Sequence, residues 1–417
     1  MSQLLNPKRT IAELKELRSL TGNDNGAQRV AFTPAWVKAR AWLREKLAAL
    51  PVEVHTDAAG NLWATLRGES EKALVIGGHI DSVPNGGWLD GCLNVLAGVE
   101  ILRRVNAQYA GKPPVTLRLV DWADEEGARF GKSLFGSSAC SGNLNLDEAR
   151  GLKDKAGVSL PDALKNVGID FERVKESRGE LKNAAAYLEL HIEQGPVLLD
   201  LNLPLGAVLG TFGVERHAIT FRGQAAHSGS TPMNRRRDAF LAAARMSPFI
   251  YELAKQHGGV CTIGSCTTKP GIVTSVVEEC RITLDQRHLE AEALARLLRD
   301  AQDASGHFAA EGGVSVAWER LWQIEPVLFH RELVEFCDAA IAETCGGKTH
   351  RLPSGPLHDA AEVARAGVPT VMMFVQSLHG ISHNKIEDTR EEHLELCVTA
   401  FDKLAAKTMA WIARAGL

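Results

Sequence analysis

The chain has 417 residues, more than one hydrophobic core usually holds, so two domains are expected. A composition of 45% hydrophobic and 24% charged residues, without low-complexity tracts, excludes a disordered chain. The formal net charge of −4, with basic residues scattered, gives no footprint for nucleic acid, and no run of about 18 apolar residues offers a membrane span.

The N-terminus, MSQLLNPKRT, lacks the apolar segment of a secretion signal, and a cytoplasmic location is expected from that. In the first half, apolar runs end in polar clusters: Ala73 to Ile76 before GGHIDS, Val115 to Val120 before DWADEEG, and Tyr187 to Leu190 before HIEQG. These read as strands feeding loops. Between them Leu93, Leu96, Ala97 and Ile101 repeat at helical spacing, so strands and helices alternate as in an α/β domain with a largely parallel sheet. Ligands of such sheets lie beyond the carboxyl ends of the strands, where the polar clusters fall.

From about residue 212 the rhythm changes. A strand over His217 to Phe221, a helix over Arg237 to Ala254, strands near 259–267 and 272–286, a helix over Glu290 to Gln302 and a strand from Val314 to Trp318 give β-α-β-β-α-β, a ferredoxin-like α+β module. After residue 328 the α/β style returns, with a buried strand over Val368 to Val375 before QSLHGISHN. The expected organisation is a discontinuous catalytic domain, 1–211 with 328–417, and an inserted domain, 212–327. The eight cysteines fall at irregular spacings and read as reduced thiols. Cys261 and Cys266 have the spacing of half a metal site, but no second pair follows, and buried or strand thiols are the plainer reading.

Five metal-competent side chains stand at loops: His79, Asp90, Glu126, His191 and His383. Imidazoles and carboxylates suit zinc, manganese, cobalt or nickel, and a carboxylate can bridge two ions. Singly, each is more often a capped or solvated loop residue; it is their joint occurrence that points to a metal centre.

The segments GGHIDSVPNGGWLDG, DEEGARF followed by GSSA, ELHIEQGPVL, AAHSGSTPMNRRRDA, LPSGPLHDA and GISHNKIEDT together resemble the M20-type metallohydrolases across nearly the whole chain. HIEQGP and HSGSTPM with a following RRDA are similar to the amidohydrolase branch, with its N-carbamoyl-L-amino-acid hydrolases, β-ureidopropionases and allantoate amidohydrolases. The resemblance implies two divalent metal ions per subunit (zinc, or manganese, cobalt or nickel), a small ureido or carbamoyl acid substrate, and an inserted lid that forms a homodimer. By position, His79 and His191 would hold one ion, Glu126 and His383 the other, and Asp90 would bridge them. Asp81 would fix the His79 tautomer. Glu125 matches the general base, managing the proton of a water activated by the ions; its alternative is a solvated acid.

His227 matches a histidine that stabilises the oxyanion in a partner subunit's site, although a strand-end histidine is the plain alternative. Arg287 would grip the substrate carboxylate with its planar fork. Gln194, Ser354, Gly355 and His358, with Asp359, match positions lining the substrate, and a structural hydrogen bond is the alternative for Gln194. The chain departs from the pattern in three places. Thr274 stands where an asparagine is usual, Asn94 where glycine is common, and Pro356 where a small residue is common. None of these is a ligand position, but all bear on pocket shape. An aminopeptidase and a non-catalytic binding protein are the competing readings of the fold.

Overall fold

The computed structural model describes residues 5–415 and divides into two compact units, the described residues to Leu209 with those from Phe329 on, and Gly210–Leu328. In the first unit the central sheet runs, in spatial order, Leu205–Thr211, Thr370–Val375, Ala184–Ile192, Ser70–His79, Val115–Trp122, Leu62–Leu66 and Glu53–Thr56. The pairs joining Thr370–Val375, Ala184–Ile192, Ser70–His79 and Val115–Trp122 are parallel; the flanking pairs are antiparallel. The Ser70–His79 strand is buried from Ala73 onward on both faces, as parallel strands under two helical layers must be. Cys92–Tyr109 and Glu391–Ala415 pack on the sheet and on each other, while Asp359–Arg365 packs on the sheet with Phe135–Ser141.

Residues His79, Trp122, Ile192 and Val375 end the four parallel-paired strands. The loops that follow them carry the polar clusters. Their anchor is internal: Arg40, buried, donates from Nε to Asp121 Oδ2 at 2.7 Å, and Asp121 Oδ1 accepts the Ile80 amide at 2.8 Å. Thus a buried ion pair fixes the start of the His79–Asp81 loop.

The second unit is a four-stranded antiparallel sheet in the order Val260–Lys269, Glu279–His288, Gly213–Arg222, Ser315–Ile324. The helices Ala239–His257 and Ala291–Glu311 pack on it around Ile219, Phe221, Met246, Ile282 and Leu297. Chain order and strand order are those of a ferredoxin-like module. Asp238 caps the first helix through the Phe240 and Leu241 amides, and Gly258 in the left-handed region ends it. The strand expected over 272–286 begins only at Glu279, because Ile272 and Val273 are exposed and Ser275–Val276 pairs instead with Ala226–His227. All eight cysteines are free; Cys266 lies not beside Cys261 but 3.6 Å, sulfur to sulfur, from Cys280. Among the described residues no helix is long and apolar enough to cross a membrane.

Candidate metal centre

Two donor triads share one carboxylate. His79, Asp90 and His191 form the first and Asp90, Glu126 and His383 the second, with the ligand atoms of each within 4.8 Å of one another. Asp90 Oδ1 stands 3.1 Å from His191 Nε2 and 3.6 Å from His79 Nε2. Its Oδ2 stands 3.5 Å from His383 Nε2, which is 3.2 Å from Glu126 Oε2. The Asp90 carboxylate therefore turns one oxygen to each triad. Gly91 is required here by its φ of 65° and because a Cβ would lie 2.4 Å from the His79 ring.

The donor set fits divalent cations. Asp81, Asp90 and Glu125 are buried and the Glu126 side chain nearly so, which places more acid in this space than two buried imidazoles neutralise. Burial pushes Glu125 and Glu126 well above the usual carboxylate range; Asp359 and Glu126 push Glu125 further, and Asp90 does so for Glu126. Burial disfavours the His79 imidazolium, yet Glu125, Asp90 and Asp81 outweigh it and hold its pKa well above the ordinary value. Asp90 is held well below its ordinary value because His191 and His79 outweigh its burial. Such mutual perturbation in a cluster of harder O and N donors is what a cation resolves.

The two buried imidazoles are each oriented through the other nitrogen. His191 Nδ1 bonds the Ile192 carbonyl at 2.9 Å, and His79 Nδ1 bonds the Asp81 carbonyl at 3.1 Å. The Asp81 carboxylate itself is 3.7 Å from His79 Nδ1, beyond hydrogen-bond reach, and instead accepts the Glu125 and Glu126 amides at 3.3 and 3.2 Å. Its contact is thus with the acidic loop, and the tautomer contact is made by its backbone. Glu125 Oε2 lies 3.6 Å from His79 Nε2, alongside the first triad. Gln194 and His383 adopt left-handed φ values of 59° and 54°, a backbone strain typical of functional loops.

The remaining residues divide. Gln194 donates from Nε2 to Asp90 Oδ2 at 2.9 Å and to Ser382 Oγ at 3.0 Å, so it supports the shared carboxylate. The His358 ring packs 4.4 Å from His191, and its Nε2 is 2.9 Å from Ser354 Oγ; Ser354 is buried and Gly355 half-buried. Burial and the neighbouring His191 hold the His358 pKa well below its usual value. Asn94 is fully buried, with neither amide atom hydrogen-bonded, and its Cβ sits against Gly78; Pro356 is exposed.

His227, Thr274 and Arg287 belong to the second unit. His227 is exposed, and its Nδ1 accepts the Gly229 and Ser230 amides at 3.1 and 3.2 Å, which leaves the proton on Nε2. Thr274 adjoins it through its carbonyl, which accepts the Ser228 amide at 3.0 Å. Arg287 Nε donates to Asp285 Oδ1 at 2.8 Å, and Asp285 Oδ2 accepts from Arg216 Nε at 2.6 Å. Glu387 is not among the sequence candidates, yet it is 2% exposed and bonded to the Asp90 loop. Its signal in the sequence is its place in GISHNKIEDT, four residues after His383.

An α/β fold with such a donor set at the carboxyl ends of its strands is a setting suited to metal-assisted hydrolysis. The chain matches the profile of peptidase family M20/M25/M40 over residues 75–407 and belongs to that family, in its hydantoinase/carbamoylase branch. It is 36% identical over 370 residues to an N-carbamoyl-L-amino acid amidohydrolase of Geobacillus stearothermophilus, covering 88% of this chain and 90% of the relative. It is 33% identical to an allantoate amidohydrolase of Escherichia coli, covering 87% and 88%. Among solved structures, an amidase of the hydantoinase/carbamoylase family from Burkholderia multivorans superposes with a TM-score of 0.85 at 30% identity, covering 96% of this chain and 97% of that one. The protein is a hydrolase of carbon–nitrogen bonds in linear amides.

Proposed function

We propose that the protein hydrolyses an N-carbamoyl-L-amino acid to the amino acid, carbon dioxide and ammonia. The observation that carries this reading is the pair of donor triads sharing Asp90, with Glu125 beside them. His79 and His191 would hold one divalent ion and Glu126 and His383 the other, with Asp90 shared. Two such ions, when bound, supply Lewis acidity that lowers the pKa of water and polarises a carbonyl.

Glu125 then takes the proton of the attacking water and passes it to the leaving nitrogen, a task suited to a carboxylate whose pKa burial has raised. Arg287 grips the substrate carboxylate, and Asp285 holds the guanidinium in place. His227, with its proton on Nε2, donates to the developing oxyanion. In this reading the Gly210–Leu328 unit also forms a homodimer, so that His227 serves the partner's site, and the enzyme works in the cytoplasm. Ser354, Gly355, His358 and Thr274 line the substrate.

Allantoate is the second substrate reading, favoured by the similarity to an allantoate amidohydrolase; it too offers a carboxylate and a urea-type carbonyl. Ammonia release from a panel of N-carbamoyl-L-amino acids and allantoate, with amino-acid release from dipeptides measured alongside, decides. Turnover of the carbamoyl compounds above the others is expected; preference for allantoate selects the second reading, and turnover of dipeptides alone refutes both.

A further inference from the structure

Glu387 joins two loops that are almost 300 residues apart in sequence. Its Oε1 accepts the amides of Leu89 and Asp90, each at 3.1 Å, and its Oε2 lies 3.0 Å from Ser382 Oγ. Ser382 Oγ is also 3.0 Å from Asp90 Oδ2, the oxygen that faces His383 and Glu126. The fit is close: a Cβ on Gly87 would come within 2.0 Å of Glu387 Oε1. One side chain thus grips the backbone of Asp90, touches the residue before His383, and reaches the Asp90 carboxylate through one hydroxyl.

We infer that Glu387, acting through Ser382, is a positioning residue that sets the second triad of Asp90, Glu126 and His383. His383 needs such help. Its backbone is in the left-handed region and its side chain is 53% exposed, whereas His79 and His191 are held by buried strands. Without Glu387 the Leu89 and Asp90 amides lose their acceptor and the Ser382 hydroxyl keeps only Asp90 and Gln194 of its three partners, so Asp90 Oδ2 and His383 no longer hold a fixed separation. The first triad keeps its own supports, the carbonyls on His79 Nδ1 and His191 Nδ1. Outer partners of this kind change metal affinity by roughly tenfold to a hundredfold.

This inference rests on the two-ion reading, and calorimetric titration of the metal-free full chain with Zn2+ and, in parallel, Mn2+ separates the two. Wild type binding fewer than two equivalents of either ion refutes the two-ion reading, and the inference with it. With two equivalents in wild type, Glu387→Ala is expected to weaken one by about tenfold or more while the other stays within about threefold. Glu387→Gln, which keeps an acceptor for both amides and the reach to Ser382, is expected to restore both affinities. Unchanged affinities in Glu387→Ala overturn the inference, and so does Glu387→Gln binding as weakly as Glu387→Ala, which would make charge, not hydrogen-bonded position, the cause. Should Glu387→Ala not fold by circular dichroism, Ser382→Ala carries the test: selective weakening of one equivalent supports the inference, and two wild-type affinities overturn it.

Discussion

Replacing Glu125 with glutamine separates proton transfer from metal binding. Glu125 is 8% exposed and stands beside the first triad without being one of its members, so an isosteric amide preserves packing and leaves both triads whole. What is lost is the acceptor for the water proton. General acid–base catalysis is worth about 10²- to 10⁴-fold, so kcat should fall by that factor, equivalent to about 3 to 5 kcal/mol of barrier. The metal-free variant should be no less stable than metal-free wild type near neutral pH. Burial holds the Glu125 pKa above its unfolded value, so the folded chain binds the proton more tightly and the ionised acid opposes folding as pH rises above the ordinary carboxylate range; glutamine removes that penalty. The assay is steady-state ammonia release with metal content measured on the same sample. Two equivalents of metal with kcat within about threefold of wild type would refute Glu125 as the base.

Asp90→Ala removes a ligand common to both triads, so elemental analysis should find fewer than two ions and activity should collapse; two retained ions with normal turnover contradict the bridging role. Mixing inactive His227→Ala with inactive Glu125→Gln protein should restore activity towards about one quarter of wild type, since about half the dimers are mixed and each has one intact site. No recovery after verified subunit exchange places His227 in its own chain's site or outside catalysis. Arg40→Met leaves Asp121 buried without its cation and should destabilise the chain by about 3 to 5 kcal/mol in denaturant unfolding. A loss below about 1 kcal/mol would mean that the ion pair does not anchor the His79 loop.

The parallel strands are legible because Ala73–Ile76 is a continuous apolar run and Val115–Val120 and Tyr187–Leu190 are mostly apolar, broken by Thr116, Arg118 and Glu189, which is close to what burial on both faces demands. Leu205–Thr211 and Leu62–Leu66 do not stand out, since neither precedes a polar motif and both owe their place to pairing with distant strands. The five metal-competent residues are legible as residue types at strand ends and in the loops that follow, while the way Asp90 divides its oxygens between triads depends on three-dimensional closure. Gln194 shows the limit: the resemblance gives it a substrate contact with a structural hydrogen bond as the alternative, and its amide is bonded to Asp90 and Ser382. The resemblance likewise makes Asp81 an imidazole partner, but its carboxylate accepts the Glu125 and Glu126 amides.

The donors are unevenly spread along the chain: four are complete by His191, and the fifth, His383, follows roughly 190 residues later. At a ribosomal pace of about 5 to 20 residues per second, that gap lasts about 10 to 40 s. During this interval a nascent chain owns the makings of the first triad but not of the second, and Thr370–Val375, the strand between Ala184–Ile192 and Leu205–Thr211, has yet to be made. Under the two-ion reading, a full complement of ions would have to wait for the end of synthesis, when the sheet can close, and a product truncated before residue 383 would lack one member of the second triad.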